Sequence, residues 1–415
     1  MGRRVCLSGV VLALLLGSTA VSAGQVGQAA RPPATRPGAE EGATGIPFGA
    51  FRLVPSLTLA TTFDDNIKRT DTGALSDTIF TVSPALALRS QWAQHSLNLN
   101  ASFDALMYAK YSSENITPYN LGANGRLDVL RSLRVLSQVS FAQLYELRSS
   151  PELPINAAKP LPYKRTQGDV TVEYQPALVG FQLGIGFEHV RYDSLETVAG
   201  LDVSWTDQDR DVFSPHARVF YEFLPGYQAY VETVYETRDF ELSLDRFGFD
   251  RSSHGYRVRG GLNALLGNLL QGEIFVGYLN QTYKAPLEDV TGPDYGASLD
   301  WFVTPLTTIH LTGARTLTDT TFGGISALDN RGIALGVDHA FLRNLILRAN
   351  VGYTDSQYTG GSRTDTLTNA GFGVDYFFSP RLSAAASYVY EQRTSNATAA
   401  GYSDNLIRIG ITGRL

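Results

Sequence analysis

The chain has 415 residues, of which 18% are charged and 11% aromatic, and it carries a net charge of −6. A charged share below the roughly 25% of ordinary domains argues against a globule surrounded by water. The mildly acidic balance offers no electrostatic footprint for nucleic acid. A single cysteine, Cys6, excludes a disulfide framework, and no apolar run approaches the ~20 residues of a spanning helix.

Residues 1–23 have the layout of a secretory signal peptide. Arg3 and Arg4 form a positive start, Val10 to Leu16 an apolar stretch, and Val21-Ser22-Ala23 a small-residue cleavage site. Cys6 falls inside this segment without the small-residue lead-in of a lipoprotein box, so neither lipidation nor thiol chemistry is expected. Residues 24–50 are rich in Ala, Gly, Gln, Pro and Glu and too poor in apolar side chains to fold. They read as a disordered periplasmic linker. From 51 to 415 the texture is uniform, and one domain is expected.

That domain alternates with period two. Leu97, Leu99, Ala101 and Phe103 stand opposite Asn98, Asn100, Ser102 and Asp104. Val170, Val172 and Tyr174 oppose Asp169, Thr171 and Glu173, and Tyr295, Ala297, Leu299 and Trp301 oppose Gly296, Ser298 and Asp300. Leu347, Ala349, Val351 and Tyr353 oppose Arg348, Asn350 and Thr354. Helical spacing fits these segments poorly. Runs this long exceed the usual soluble strand of about five to six residues and suit a tilted membrane strand of roughly ten.

Short turns are expected near Trp92-Ala93, Arg131-Ser132, Pro176-Ala177, Leu224 to Gly226, Gly267-Asn268, Thr304-Pro305, Leu342-Arg343 and Ser379 to Arg381. Longer polar loops lie between them at 64–76, 111–118, 149–161, 194–206, 241–251, 284–292, 319–327, 359–362 and 395–401. Unbroken alternation of short and long connections is the pattern of a transmembrane up-and-down antiparallel β-barrel. It predicts about eighteen strands, or about sixteen if boundaries slip, with both termini in the periplasm. Trp92, Trp301 and Phe378 beside the short turns, and Tyr192 and Tyr283 toward the long loops, are read as two aromatic girdles. Pro55, Pro84 and Pro215 fall inside strands, where each removes a ladder donor and is expected to mark a bulge or a strand start. The last run, with Ile407, Ile409, Ile411 and Leu415 on one face, suits a recognition strand for the barrel-assembly machinery.

The other face of each strand supplies the lumen candidates. They are Asp104, Arg126, Arg134, Asp169, Glu173, Glu188, Arg218, Glu222, Tyr230, Glu232, Arg257, Arg259, Glu273, Asp300, Phe302, Arg348, Asp375 and Arg408. Both signs are present, so no single-sign ring of the kind that makes a pore strongly ion-selective is visible. Tyr230 and Phe302 are candidates to stack on sugar rings. Asp207, Asp209 and Asp211 have the spacing that begins a calcium loop, but Val212 replaces the turn glycine and Arg218 the bidentate acid. An EF-hand is excluded, leaving a looser divalent site as the metal hypothesis. The His residues show no close ligand spacing, and no nucleophile elbow, zincin motif or phosphate loop occurs. Neither a cofactor nor an enzymatic activity is expected.

The segment 52–67, a Pro-containing strand running into Phe63, Asp64, Asp65, Asn66 and Ile67, resembles the opening of the putative beta-barrel porin 2 family. Its aromatic-Asp-Asp-Asn-hydrophobic motif lies on the first strand, and the hairpin series that follows looks like that family throughout. The resemblance implies the outer membrane of a Gram-negative bacterium, among lipid and lipopolysaccharide. Some members are linked to exopolysaccharide production, which implies a conduit for polymer export beside a periplasmic polysaccharide-export protein. A general or solute-specific diffusion porin is the first alternative, and a structural barrel presenting its loops as an adhesin or receptor, or last an outer-membrane hydrolase, the second.

Overall fold

The computed structural model describes residues 45–154, 156–266 and 269–415. The alternating runs become long strands because a two-faced sequence can satisfy lipid on one side and water on the other only in a closed sheet. In chain order they are β1 Phe51–Asp64, β2 Asp77–Ser90, β3 in two collinear pieces (Ser96–Phe103 and Ala105–Tyr108), β4 Tyr119–Asp128, β5 Leu133–Glu146 and β6 Leu161–Tyr174. There follow β7 Val179–Tyr192, β8 Arg210–Leu224, β9 Tyr227–Phe240, β10 Ser253–Leu266, β11 Leu270–Tyr283 and β12 Val290–Thr304. The series ends with β13 Thr307–Asp319, β14 Ala327–Leu342, β15 Leu345–Tyr358, β16 Thr364–Ser379, β17 Leu382–Ser395 and β18 Tyr402–Arg414. Each strand pairs with the next, and β1 pairs with β18 from Ser56↔Arg414 to Asp64↔Leu406. The result is a closed antiparallel barrel of eighteen strands, the number expected from the connections.

Short and long connections alternate as anticipated. Only two residues join β8 to β9, β12 to β13, β14 to β15 and β16 to β17. Gly226 closes the first of these with φ of 84°, a conformation costly for residues with a Cβ. The expected turn at Gly267-Asn268 lies outside the described residues, as do the signal peptide and residues 24–44 of the linker. The linker's last residues are ordered: Ile46–Phe48 folds back on β1, pairing Ile46 with Leu53. Phe51 and Arg414 both lie at the short-turn end.

Facing residues on paired strands share a side of the sheet, so the register separates an outer from an inner face. Phe181, Leu183, Ile185 and Phe187 of β7 are exposed and outward. Outward aromatics reach Trp301, Phe341 and Phe378 beside the short turns. At the other end Phe187, Tyr235, Tyr278 and Tyr353 each stop five residues before the end of their strand. A strand of this length at ~3.3 Å per residue and a tilt near 40° rises ~35 Å, about 10 Å more than the ~25 Å apolar band. The surplus therefore projects at the long-loop end.

Two side-chain clusters fill that projecting collar. Leu153, Ala157, Leu161, Val190, Tyr192, Leu195 and Trp205 form one, and Leu279, Tyr283, Leu287, Val290, Leu317 and Ala327 the other. Tyr192 and Tyr283 are therefore not girdle residues, contrary to the sequence expectation. Tyr192 is 9% exposed, stacks on Tyr163 with ring centroids 4.9 Å apart, and donates its hydroxyl to Glu146 at 3.0 Å. Both tyrosines sit at the wrong parity for lipid, since the outward residues of β7 are odd-numbered and those of β11 (Ile274, Val276, Tyr278) even-numbered. Trp92, Trp301 and Phe378 are exposed at the short-turn end.

The prolines interrupt ladders without shifting them. Opposite Ser83-Pro84 the β2–β3 pairing lapses between Val82↔Ala105 and Ala85↔Ser102, and β3 is divided there at Asp104. At Pro215 the β8–β9 pairing lapses between Phe213↔Thr237 and His216↔Val234. Register is preserved across both gaps, so these are missing-donor sites inside strands and not bulges or strand starts.

Candidate functional site: the lumen and the strap across its mouth

All the lumen candidates have inward parity, and the register brings most of the charged ones into cross-strand pairs. Arg134 Nε donates to Glu173 at 2.6 Å. Arg218 reaches Glu232 at 2.9 Å and Glu273 at 3.3 Å, and Arg259 donates to Asp294 at 2.6 Å. Arg348 pairs with Asp375 and lies 3.6 Å from Asp338. Arg126 meets Asp128 at 3.1 Å, and Glu188 lies 3.9 Å from Arg210. Asp169 accepts from Thr171 at 2.8 Å, Glu222 from Gln175 at 2.9 Å, and Asp300 faces His310 at 2.7 Å. Asp104, Arg257 and Arg408 share the inner face, Asp104 in line with Ser102 and Arg408 opposite Thr62. Alternate signs on adjacent strands neutralise one another locally, which keeps a charged wall stable in a confined space.

Tyr230 and Phe302 also point inward, but each is only 5% exposed. The Arg218 guanidinium covers the Tyr230 ring at 4.0 Å, and the phenol donates to Glu273. A Cβ on Gly261 would meet that phenol oxygen at 2.4 Å, so the ring lies flat in the hollow the glycine leaves. Neither ring offers a free face, and the expected sugar-stacking role is corrected accordingly.

The wall encloses a cavity of 1740 Å³, running from Arg89 and Trp92 near the short turns to Tyr145 and Glu152 near the long loops. Above it the connection between β5 and β6 crosses the mouth. Glu152, in that connection, accepts from Thr320 Oγ1 at 2.5 Å, from Thr321 N at 3.1 Å and from Thr321 Oγ1 at 3.0 Å. Thr320 and Thr321 join β13 to β14, eight strands away around the barrel and so on the opposite wall. Gln208 Nε2 reaches both Glu152 at 3.5 Å and Thr321 at 3.1 Å. Arg393 of β17 donates to Ser149 O at 2.9 Å. At its root the strap is held by Arg148, which donates to Glu114 at 2.7 and 2.9 Å, with Lys68 on the same carboxylate. Leu153 packs into the cluster around Trp205.

These two carboxylates titrate in opposite senses. Burial pushes Glu152 up, and hydrogen bonds from Thr320 and Thr321 only partly offset it, because its direct donors carry no charge. Glu114 is held down: burial raises it, but the hydrogen bonds from Arg148 and Lys68 more than compensate. Sequence reading missed Glu152, Gln208, Thr320 and Thr321. No local signal marks them, since their connection is made across the barrel.

Asp207, Asp209 and Asp211, the metal candidates, go to three different partners. Asp207 pairs with Arg246, Asp209 accepts from Tyr192 N at 2.7 Å, and Asp211 faces outward beside His189 and Arg191. A calcium-like site there is corrected, because Asp207 lies in the short 3-10 turn Thr206–Gln208, Asp209 ends that turn and Asp211 already belongs to β8, so the three carboxylates leave the backbone in different directions. Three other acids converge: Asp64, Asp65 and Asp404 bring carboxylate oxygens within 4.8 Å of one another. Their arrangement suits a cation, and Arg69 supplies one, bonding Asp64 at 3.1 Å and Asp404 at 2.7 Å. The motif residues are thus the seam of the barrel. Asp65 accepts from Asn405 N at 2.8 Å and Nδ2 at 2.7 Å, and Asn66 Nδ2 donates to Ser403 O at 2.9 Å. Phe63 faces outward and Ile67 is buried.

Solved structures share the architecture at low identity. The outer membrane protein OpdK from Pseudomonas aeruginosa is 10% identical, with a TM-score of 0.47 covering 88% of this chain and 99% of that one. OccAB3 from Acinetobacter baumannii is 11% identical, with a TM-score of 0.47 covering 89% and 100%. The siderophore receptor PirA from Pseudomonas aeruginosa is 9% identical, with a TM-score of 0.44 covering 88% and 80%. No curated protein sequence matches the chain. The sequence profile of one family extends over residues 39–415, seam motif and all eighteen strands included, and the chain belongs to that family, putative beta-barrel porin 2.

Proposed function

We propose that this chain is an outer-membrane conduit for exopolysaccharide export, with its long loops outside the cell, its termini in the periplasm and the strap as its outer restriction. The observation that carries this reading is the closed barrel around a polar 1740 Å³ cavity beneath a strap anchored on the far wall. Such a mouth suits a pore that opens for a chosen passenger better than one left permanently wide. Export of a hydrophilic polymer needs a continuous polar wall, which the inner face supplies. A periplasmic polysaccharide-export protein would deliver the polymer to the short-turn end, and the barrel-assembly machinery would insert the barrel among lipid and lipopolysaccharide. Deleting the gene and measuring secreted polysaccharide tests the proposal. Loss of extracellular polymer, restored by the wild-type gene, supports it, and unchanged polymer favours the diffusion porin instead. The same strap, fixed by Glu152 to the far wall, is the observation that keeps a solute-specific porin as the second reading.

A further inference from the structure

Most of the inner wall is ion-paired, and the charge left unpaired along the cavity is of one sign. Among the described residues that line it, Arg89, Arg165 and Arg257 have neither an ion pair nor a hydrogen bond. The lining carboxylates are all held. Glu232, Glu236, Asp319 and Asp365 are salt-bridged to arginines at 2.6–2.9 Å. Glu146 accepts from Tyr192, and Glu152 from Thr320 and Thr321. Asp169 accepts from Thr171 and lies 3.7 Å from His216, and Glu188 lies 3.9 Å from Arg210. Asp104, which has no salt bridge, is outside the lining.

Two of the free guanidiniums bracket a track of uncharged groups on β2 to β6. The register sets Arg89 beside Asn98, Asn98 beside Asn124 and Asn124 beside Gln138. From Gln138 the track steps up β5 to Ser140, which faces Gln167, and Arg165 stands two residues farther toward the long loops. Asn98, Asn124, Gln138 and Gln167 line the cavity, and among the described residues their side chains have no hydrogen-bond partner. Neighbouring strands are ~4.8 Å apart, so the four intervals from β2 to β6 put about 19 Å of wall between the two guanidiniums. A compact anion could meet only one of them. A guanidinium grips a carboxylate with two parallel bonds, and a carboxamide offers donors and an acceptor that match a hydroxyl. A neutral chain would leave both guanidiniums unmatched, whereas a hydroxylated chain with spaced carboxylates engages every free group.

We propose that the track from Arg89 to Arg165 is a binding surface for an acidic glycan segment, a polyhydroxylated chain that bears carboxylates at intervals. This deepens the conduit reading and rests on it for the glycan's path, while the binding itself can be measured apart from passage. The full mature barrel, refolded in detergent, is titrated with an oligogalacturonate, with maltoheptaose as a neutral chain of similar length, and with galacturonate monomer. The wild type is expected to bind the acidic oligomer about tenfold more tightly than either, or better, with an affinity that falls as salt rises. Arg89→Gln/Arg165→Gln is expected to lose about tenfold or more for the acidic oligomer, as removal of charge-assisted bonds requires, and to bind maltoheptaose as the wild type does. The exchange breaks no native ion pair or hydrogen bond. Should the double variant still fail to fold, the two single variants and the salt dependence of the wild type carry the same test. No binding of the acidic oligomer, equal or tighter binding of maltoheptaose or of the monomer, or undiminished affinity in the variants would each overturn the proposal. Ion conductance of the same protein in a planar bilayer tests the conduit separately. Conductance without oligogalacturonate binding sinks the track and spares the pore, whereas binding without any conductance sinks the pore and spares the track.

Discussion

At the scale of single residues, the strap turns on two carboxylates in contrasting surroundings. Glu152 meets Thr320, Thr321 and Gln208 directly, and feels the fields of Glu146, Tyr358 and Arg363 around it. Its proton affinity is raised in the closed mouth above the ordinary carboxyl value of 4.5. The state with the higher pKa gains stability as pH falls, so acid favours the closed strap, and closure weakens as pH rises through the raised value. Single-barrel conductance is therefore expected to grow with pH above the ordinary carboxyl range, and Glu152→Gln to remain poorly conducting at every pH. A Glu152→Gln pore whose current still tracked pH would place the switch elsewhere. Glu114 obeys the opposite sign, since its depressed pKa contributes stability above the ordinary value that is lost as pH falls through the depressed one. Its side chain is 2% exposed between Arg148 and Lys68. Glu114→Gln leaves the buried Arg148 uncompensated and is expected to cost about 3 kcal/mol, read as a lowered denaturation midpoint and faster proteolysis at the strap.

At the scale of the strand, parity decides more than composition. Leu183 is 64% exposed at the centre of the outward run on β7, and its neighbour Gln182 faces inward to donate to Glu173 at 2.8 Å. Leu183→Arg is expected to destabilise the barrel by about 2–4 kcal/mol in a bilayer. The same charge at Gln182, in a wet lumen, should cost under about 1 kcal/mol. Equal costs in lipid-vesicle unfolding would contradict the assignment of faces. Parity also explains the tyrosine error. Phe181, Leu183, Ile185 and Phe187 already put Tyr192 on the inner face, a signal present in sequence but overridden by proximity to a loop. The eighteen strands were legible because alternation and turn residues are local. The collar above the membrane was not, because a strand continuing past the lipid band keeps the same alternation.

At the scale of the whole molecule, closure and orientation can be tested together. Asn66 is 1% exposed and spans the seam to Ser403 while Asp65 holds Asn405, so the first and last strands are locked where the ladder ends. Asn66→Ala is expected to cost about 1 kcal/mol by removing the donor from the part-buried Thr70 and Ser403 carbonyls, seen as earlier loss of heat-modifiable gel migration during urea unfolding. Because Cys6 is the only cysteine in the sequence, introduced thiols report cleanly. Phe247→Cys, on the exposed connection between β9 and β10, should react with an impermeant maleimide on intact cells, and Trp92→Cys only after permeabilisation. The reverse labelling pattern would invert the barrel.

The sequence by itself determined the strand number, the alternating faces, the order of short and long connections, and the inward parity of the charged residues. These follow from period-two chemistry and turn residues within a dozen positions. Only the tertiary structure decided what those residues meet. Glu152 finds Thr321 across the lumen, Asp64 and Asp65 find Asp404 and Asn405 across the seam, and the Asp207 to Asp211 acids are drawn to separate partners. Tyr230 loses its free face to Arg218, and four carboxamides on successive strands become one surface. Closing a sheet into a barrel sets neighbours by register and curvature, and neither is written in any single stretch of chain.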